Sequence, residues 1–329
     1  MTAAGSIHRL GDMIVMTIKS KDNLNYRLIK AVLNMLAWIP RREFVRLAQP
    51  LGCLWYGMDR YHRRIAIDNM SIAFGRELAP AQIRSLARDN FVQLVRVVLE
   101  FPSLLKLSKE NIDTYIEFRG LEHLEAALRR GTGVLVLTAH LGNWELMALA
   151  TALKFEMPFN GLARPLDFLP MDRVLTEIRS RTGNRVLDKD KSAAEVSTLM
   201  RNNQVVGILL DQNSSWYEGV YVPFFGKTAC TNKGLAMFAM RYNATVIPAF
   251  NVRLKDGRYR AIFSAPLDLV RSGDVSNDII ENTARFNKII EEHIRMAPDN
   301  WLWVHRRWRI KEIPERARKK IKGVLNDSI

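Results

Sequence analysis

Residues 133–145 read GVLVLTAHLGNWE, and the order of residue types in this stretch decides the fold. GVLVLT is an apolar, partly β-branched run of strand length, bounded by glycine and by His140. That is the pattern of a strand buried on both faces. Leu141-Gly142-Asn143 then turns the chain. Asn143 has the short polar side chain of a helix N-cap, which places Glu145 in the first helical turn, where a carboxylate suits the helix dipole. Five positions apart on one continuous helix, His140 and Glu145 would point different ways. Across a strand, turn and helix they can meet. Such a turn would let Glu145 accept the Nδ1–H of His140 and leave Nε2 free as a base at the carboxyl end of a strand, where α/β sites form. The other reading of the same residues is a satisfied histidine at a helix N-terminus.

Outward from this stretch, strands and helices alternate from about residue 113. Strands are expected at 115–118, 133–138, 160–163, 186–187, 205–210 (VVGILL), 244–253 and 258–263. Helices are expected at 120–130, 145–153, 170–181, 193–202, 233–241 and 278–296. The fold class is α/β: a central, mostly buried mixed sheet flanked by helices. Residues 25–103 read as helical throughout. Apolar positions there recur at helical spacing, Trp38, Trp55 and Tyr56 add aromatics, and Arg41, Arg42, Arg46, Arg60, Arg63 and Arg64 add a basic face. This describes either a membrane-interface segment or a helical hairpin covering the core. The expected organisation is an N-terminal helical, membrane-associating segment (1–103), an α/β domain (104–312) and a basic tail (313–329).

Composition narrows the partners. The 329 residues carry 49 Lys+Arg against 34 Asp+Glu, a formal charge of +15, which favours an anionic partner such as a membrane surface, a phosphorylated substrate or nucleic acid. Nucleic acid fits less well, because the basic residues are spread along the chain and no helix-turn-helix, zinc or RNA-binding pattern occurs. No run approaches the roughly 18 apolar residues of a spanning helix, and residues 1–20 lack a secretory signal. Cys53 and Cys230 fit no metal or redox motif and are expected to be free thiols.

The turn at His140 has the histidine and carboxylate of a hydrolase triad but no serine or cysteine, and Ser192, Ser214 and Ser215 lie in no GxSxG elbow. The missing nucleophile is then a hydroxyl of a second substrate, deprotonated by His140 as it attacks a thioester. HLGNWE resembles the HxxxxD/E signature of the lysophospholipid acyltransferase superfamily. Within it the chain is most similar to the late lipid A acyltransferases, the lauroyl and myristoyl transferases. Further matching blocks are IAIDNMSIAF, RPLDFLPMD from Arg164, GILLDQN ending at Asn213, GVYVPFFGKTACTNKG from Gly219, and PDNWLWVHRRW from Pro298.

The resemblance places His140 and Glu145 on the catalytic pair. It puts Arg164 on an arginine that binds a substrate phosphate or shapes the acceptor site; a surface salt bridge is the alternative. Asp211 closes the third block's strand, where it could orient the acceptor or Arg164, or cap the next segment. Asn213 and Lys233 are further binding candidates, Lys233 within a loop that feeds a helix N-terminus suited to an anion. Phe224 and Phe225 could line an acyl channel or sit in the core. No role follows from the residues themselves for the Trp- and Arg-rich block at 301–309; fold closure and interfacial anchoring both fit. The resemblance implies a donor thioester on acyl carrier protein, with acyl-CoA as alternative. It implies a lipid A precursor as acceptor, with a lysophospholipid or other glycolipid as alternative, at the cytoplasmic face of the bacterial inner membrane. No cofactor or metal is expected, because backbone N–H groups and arginine can polarise the thioester carbonyl.

Overall fold

The structure is a computed structural model that describes residues 22–188 and 192–309; the expected basic tail lies outside these residues. Two apolar runs form its centre. β2 (Val134–Thr138) is buried along its whole length and pairs in parallel with β5 (Val205–Leu209) on one side and β8 (Thr245–Arg253) on the other. β3 (Phe159–Ala163) and β4 (Val186–Asp188) extend the sheet beyond β5. β9 (Tyr259–Phe263) and β1 (Ile116–Arg119) extend it beyond β8. The order is β1-β9-β8-β2-β5-β3-β4, parallel except for the β8/β9 hairpin.

Alternation along the strands divides the core in two. Leu135, Leu137, Val206 and Ile208 face α8 (Ala193–Arg201), α9 (Gly234–Tyr242) and α10 (Val275–Met296). Val134, Val136, Phe159 and Val205 face α5 (Leu121–Leu128), α6 (Trp144–Phe155) and α7 (Leu169–Ser180). Continuous apolar strands are what a sheet covered on both faces requires.

One expectation is corrected. The segment around Pro223–Gly226 and Thr231–Lys233 is not a loop but the hairpin of β6 (Gly219–Phe224) and β7 (Lys227–Asn232). Its alternation is hidden because Cys230 and Thr231 are buried on β7 beneath Arg307, which donates to Cys230 O at 2.8 Å and Thr231 Oγ1 at 2.6 Å. Burial lowers the pKa of this guanidinium to about 10. Phe224 is fully buried and packs between Trp301 and Trp308 in the core.

The N-terminal part is helical, as expected: α1 (22–36), α2 (Arg41–Met58), α3 (Arg60–Phe74) and α4 (Pro80–Glu100). α1 rests on α7, with Tyr26 Oη donating to Glu177 Oε1 at 2.5 Å and Lys30 Nζ to Glu177 Oε2 at 2.8 Å. At the end of α4, buried Glu100 receives a bidentate pair from Arg253 of β8 (2.7 and 2.9 Å), Arg41 at 3.1 Å and the Tyr259 hydroxyl at 2.7 Å. Burial opposes ionisation of Glu100, yet the arginines hold its pKa below the usual carboxylate value. Among the described residues no helix is long and apolar enough to cross a membrane.

Because Arg253 neutralises a carboxylate that water cannot reach, Arg253→Met is expected to cost about 3–5 kcal/mol, the usual penalty for stranding one partner of a buried pair. Urea unfolding midpoints at neutral pH measure it. With the folded pKa of Glu100 depressed, its contribution is full above the unfolded carboxylate value and is lost as pH falls through the folded one. The gap between wild type and variant should therefore narrow in acid.

Candidate active site

β2 and β5 run parallel with Thr138 opposite Leu209, so the residues two further on, His140 and Asp211, lie opposite each other. Asp211 Oδ1 meets His140 Nδ1 at 2.9 Å, and Oδ2 accepts the backbone N–H of His140 at 3.1 Å. Trp301 Nε1 donates to the same Oδ2 at 2.7 Å. Asp211 is only 1% exposed. Burial alone would raise its pKa, but the facing imidazole and these hydrogen bonds hold it below the ordinary carboxylate range. A carboxylate on Nδ1 fixes the tautomer that presents Nε2 as the base.

The expectation that Glu145 would take this bond is corrected. Asn143 does cap α6, its side chain accepting from Leu146 N at 3.0 Å, and Glu145 does fall in the first turn. However, Glu145 forms a bidentate pair with Arg179 of α7, Oε2 to Nε at 2.9 Å and Oε1 to Nη2 at 2.5 Å. Burial would lower the pKa of Arg179, but the bonds to Glu145 raise it, so the guanidinium stays charged. Between the two, Trp144 sets its indole edge-on to the His140 ring at 4.9 Å and donates to Glu145 at 3.2 Å.

The turn itself is tightly determined. Gly142 has φ +61°, and a Cβ there would come 2.2 Å from Asn251 O, so only glycine fits. The amides of His140, Leu141 and Gly142 are occupied by Asp211, Ala139 O and Asn300 O. They are therefore not available to polarise a carbonyl; Arg179 is a charged donor that lines the same cavity as His140.

His140, Trp144, Glu145 and Arg179 open on a cavity of about 710 Å³ at the carboxyl ends of β2, β3 and β5. Arg164 and Asn213 line it too. Arg164 sits at the exposed rim, paired with Asp167 at 2.5 Å. Asn213 anchors the far wall, its amide donating to His305 Nε2 at 2.8 Å and its side chain to Arg309 O at 2.6 Å. Asp211 stands behind His140 rather than in the cavity. Lys233 lies outside the lining and donates to Tyr217 O at 3.1 Å, although its neighbours Asn232 and Gly234 reach the wall.

Two site residues carry no signal in the sequence stretch that defines the turn. Arg179 is an ordinary basic residue in the last turn of α7. Trp301 belongs to the block whose role was left open: Leu302 N donates to His140 O at 3.1 Å, and Asn90 grips Asp299 O and Trp301 O at 2.8 and 2.6 Å. The block thus buttresses the back of the histidine, which is fold closure in the service of the site.

The model of the bacterial lipid A biosynthesis acyltransferase family matches residues 19–310. The chain belongs to this family. It is 26% identical over 287 residues to the lipid A biosynthesis lauroyltransferase of Escherichia coli, covering 85% of this chain and 90% of that one. A lipid A biosynthesis palmitoleoyltransferase of the same organism is 24% identical over 285 residues, with 86% and 90% covered. The phosphatidylinositol mannoside acyltransferase of Mycobacterium tuberculosis is 26% identical over 285 residues, with 79% and 86% covered. The chain is accordingly an O-acyltransferase with a lipid acceptor.

If Asp211 fixes the working tautomer, Asp211→Asn should lower turnover by about 100-fold or more while the protein stays folded, because the imidazole then faces an ambiguous partner. Trp301→Phe removes one charge-assisted bond of about 1.5–3 kcal/mol and should lower kcat by about tenfold with KM little changed. Steady-state kinetics beside a near-UV circular dichroism spectrum reads both.

Proposed function

We propose that the chain transfers a fatty-acyl group from an acyl thioester to a hydroxyl of a lipid A precursor, with His140 as general base. The observation that carries this reading is the buried Asp211–His140 pair opening on a cavity that also holds the Glu145–Arg179 pair. The acceptor hydroxyl attacks the thioester carbonyl carbon as His140 Nε2 takes its proton. The carbonyl oxygen gains negative charge near Arg179, the C–S bond breaks, and the imidazolium returns the proton to the leaving thiolate. Asp211 stabilises the imidazolium. Glu145 is a positioning residue that holds Arg179 in place. Charge on the oxyanion is met by this guanidinium, so the reaction proceeds without a metal or cofactor, and activity should survive EDTA.

The donor in this proposal is acyl carrier protein, an acidic partner that a formal charge of +15 attracts; acyl-CoA is the alternative. In this reading Arg164 meets an anionic group of the acceptor, such as a phosphate, which its position in the cavity lining supports. The likeness to a phosphatidylinositol mannoside acyltransferase supports a second reading, in which the acceptor is another phosphoglycolipid.

The enzyme works from the cytoplasmic face of the inner membrane as a peripheral protein. Two exposed apolar stripes support this: Leu24, Leu28, Val32 and Met35 on α1, and Leu47, Leu51, Leu54 and Met58 on α2, flanked by exposed Arg42 and Arg46. Replacing Leu47, Leu51 and Leu54 together by Gln should reduce co-sedimentation with anionic vesicles by about tenfold or more, given about 1.5–3 kcal/mol for each fully buried leucine. Unchanged sedimentation would remove α2 from the membrane face.

The deciding assay supplies detergent-solubilised protein with an acylated, phosphorylated lipid A precursor and acyl-carrier-protein thioesters, read by mass spectrometry. One added acyl mass is expected from wild type, reduced about 100-fold or more in His140→Ala. Arg179→Lys should lower kcat while leaving acceptor KM near wild type. Addition to a mannosylated phospholipid but not to the lipid A precursor would establish the second reading. Near-normal turnover by His140→Ala would sink the mechanism.

A further inference from the structure

β3 is an interior strand, bonded to β5 on one side and β4 on the other, yet Gly161, Leu162 and Ala163 remain partly exposed. The exposure is to the cavity, which all three line. Gly161 pairs directly with Gly207 of β5, and paired residues of parallel strands share a face. That face is the one toward α6 and α7, since Phe159 and Val205, two pairs lower, belong to the core on that side.

The two glycines do different things. A Cβ on Gly207 would fall 2.7 Å from Cε1 of Phe159, so Gly207 is the seat of that ring. A Cβ on Gly161 would meet nothing within 4 Å. Neither glycine has a positive φ, so the backbone demands glycine at neither position. What glycine provides at 161 is empty space in the middle of an otherwise packed sheet face.

This face descends in layers of about 7 Å, two residues of strand rise. Ala163 and Leu209 lie nearest the carboxyl ends, beside the loop that carries His140. Gly161 and Gly207 come next. Phe159, buried and also lining the cavity, closes the bottom across Gly207. Met147 and Ala148 of α6 supply the opposite wall. A slot that starts at the base, has apolar walls and ends on an aromatic ring fits an alkyl chain.

We propose that Gly161 sets the length of acyl chain the enzyme transfers: the chain runs from the thioester beside His140 over Gly161 and ends against Phe159. This rests on the acyl-transfer reading and adds a specificity-determining position to it. A side chain at 161 enters the slot where a Cβ meets nothing within 4 Å, one layer below the loop that carries His140.

Wild type, Gly161→Ala and Gly161→Leu are given an equimolar mixture of acyl-carrier-protein thioesters from C10 to C18, and product lengths are read by mass spectrometry. Gly161→Leu should discriminate against the longest chain that wild type accepts by about tenfold or more per methylene excluded, relative to shorter ones. Gly161→Ala should do the same more weakly, and Phe159→Leu, which lowers the floor, should shift the preference toward longer chains. Thermal melting serves as the folding control; Gly161→Ala should melt no lower than wild type, because glycine in a strand interior is the weaker residue. An unchanged length profile in a folded, active Gly161→Leu overturns the proposal. So does a shift produced only by enlarging the cavity at Phe238 of α9, on the other face of the sheet. If wild type itself transfers no acyl group, the failure belongs to the acyl-transfer reading. The slot is then read without turnover, by displacing a bound fluorescent fatty acid with fatty acids of the same lengths. An identical displacement order in wild type and Gly161→Leu overturns it there too.

Discussion

A carboxylate that is 1% exposed has to be satisfied by the protein, and the way Asp211 is satisfied organises everything around it. Two of its donors come from one residue, the amide and ring of His140, and the third from Trp301, ninety positions further on. The charge therefore ties the end of β2, the end of β5 and the C-terminal block into one unit. Sheet register does the first part of the work, since Thr138 opposite Leu209 leaves His140 opposite Asp211 without any special loop. Gly142 and Asn143 do the second part, turning the chain away sharply enough to leave the imidazole at the cavity wall.

Much of this was legible before any coordinates. The strands at 134–138 and 205–209, the helix after Asn143 and the long helix ending at Met296 all follow from apolar runs, caps and periodicity. His140 and Glu145 were legible as site residues because a histidine at a strand end and a glutamate in a first turn both face the same opening. Their pairing was not. Sequence spacing suggests which residues of one turn can meet, but Asp211 reaches His140 through strand order, and strand order is a long-range property. Arg179 and Trp301 were hidden for the same reason, because each is unremarkable in its own element and acquires a role only from what lies across the cavity. The β6/β7 hairpin was obscured differently: Ala229, Cys230 and Thr231 are buried in succession, so no alternation shows, and Arg307 satisfies the Cys230 carbonyl and the Thr231 hydroxyl.

The two acidic residues of the site divide the work by environment. Asp211, shut away from water, serves the imidazole. Glu145, on the cavity wall, serves a guanidinium. Each carboxylate fixes one cationic or proton-bearing group in orientation, so the site holds an oriented imidazole and a fixed positive charge as separate devices. The histidine and the glutamate five residues on are thus linked through Trp144 rather than directly. The indole stands edge-on to one and donates to the other.

The helix that carries Arg179 also explains how the N-terminal part bears on the site. α1 lies against α7 through Tyr26, Lys30 and Glu177, and Arg173 of α7 donates to Asn23 and stacks over Tyr26. The start of α7 exposes Phe168 and Leu169 beside Arg164 at the cavity rim, while α1 exposes its own apolar stripe. A surface that accepts the apolar stripe of α1 would meet Phe168 and Leu169 along the same helix, and with them the rim. Arg164 pairs with a highly exposed Asp167, and an exposed ion pair of this kind is worth no more than about 1 kcal/mol. The same helix thereby runs from the exposed Leu169 at its start to Arg179 in its last turn, where Glu145 holds the guanidinium at the cavity wall.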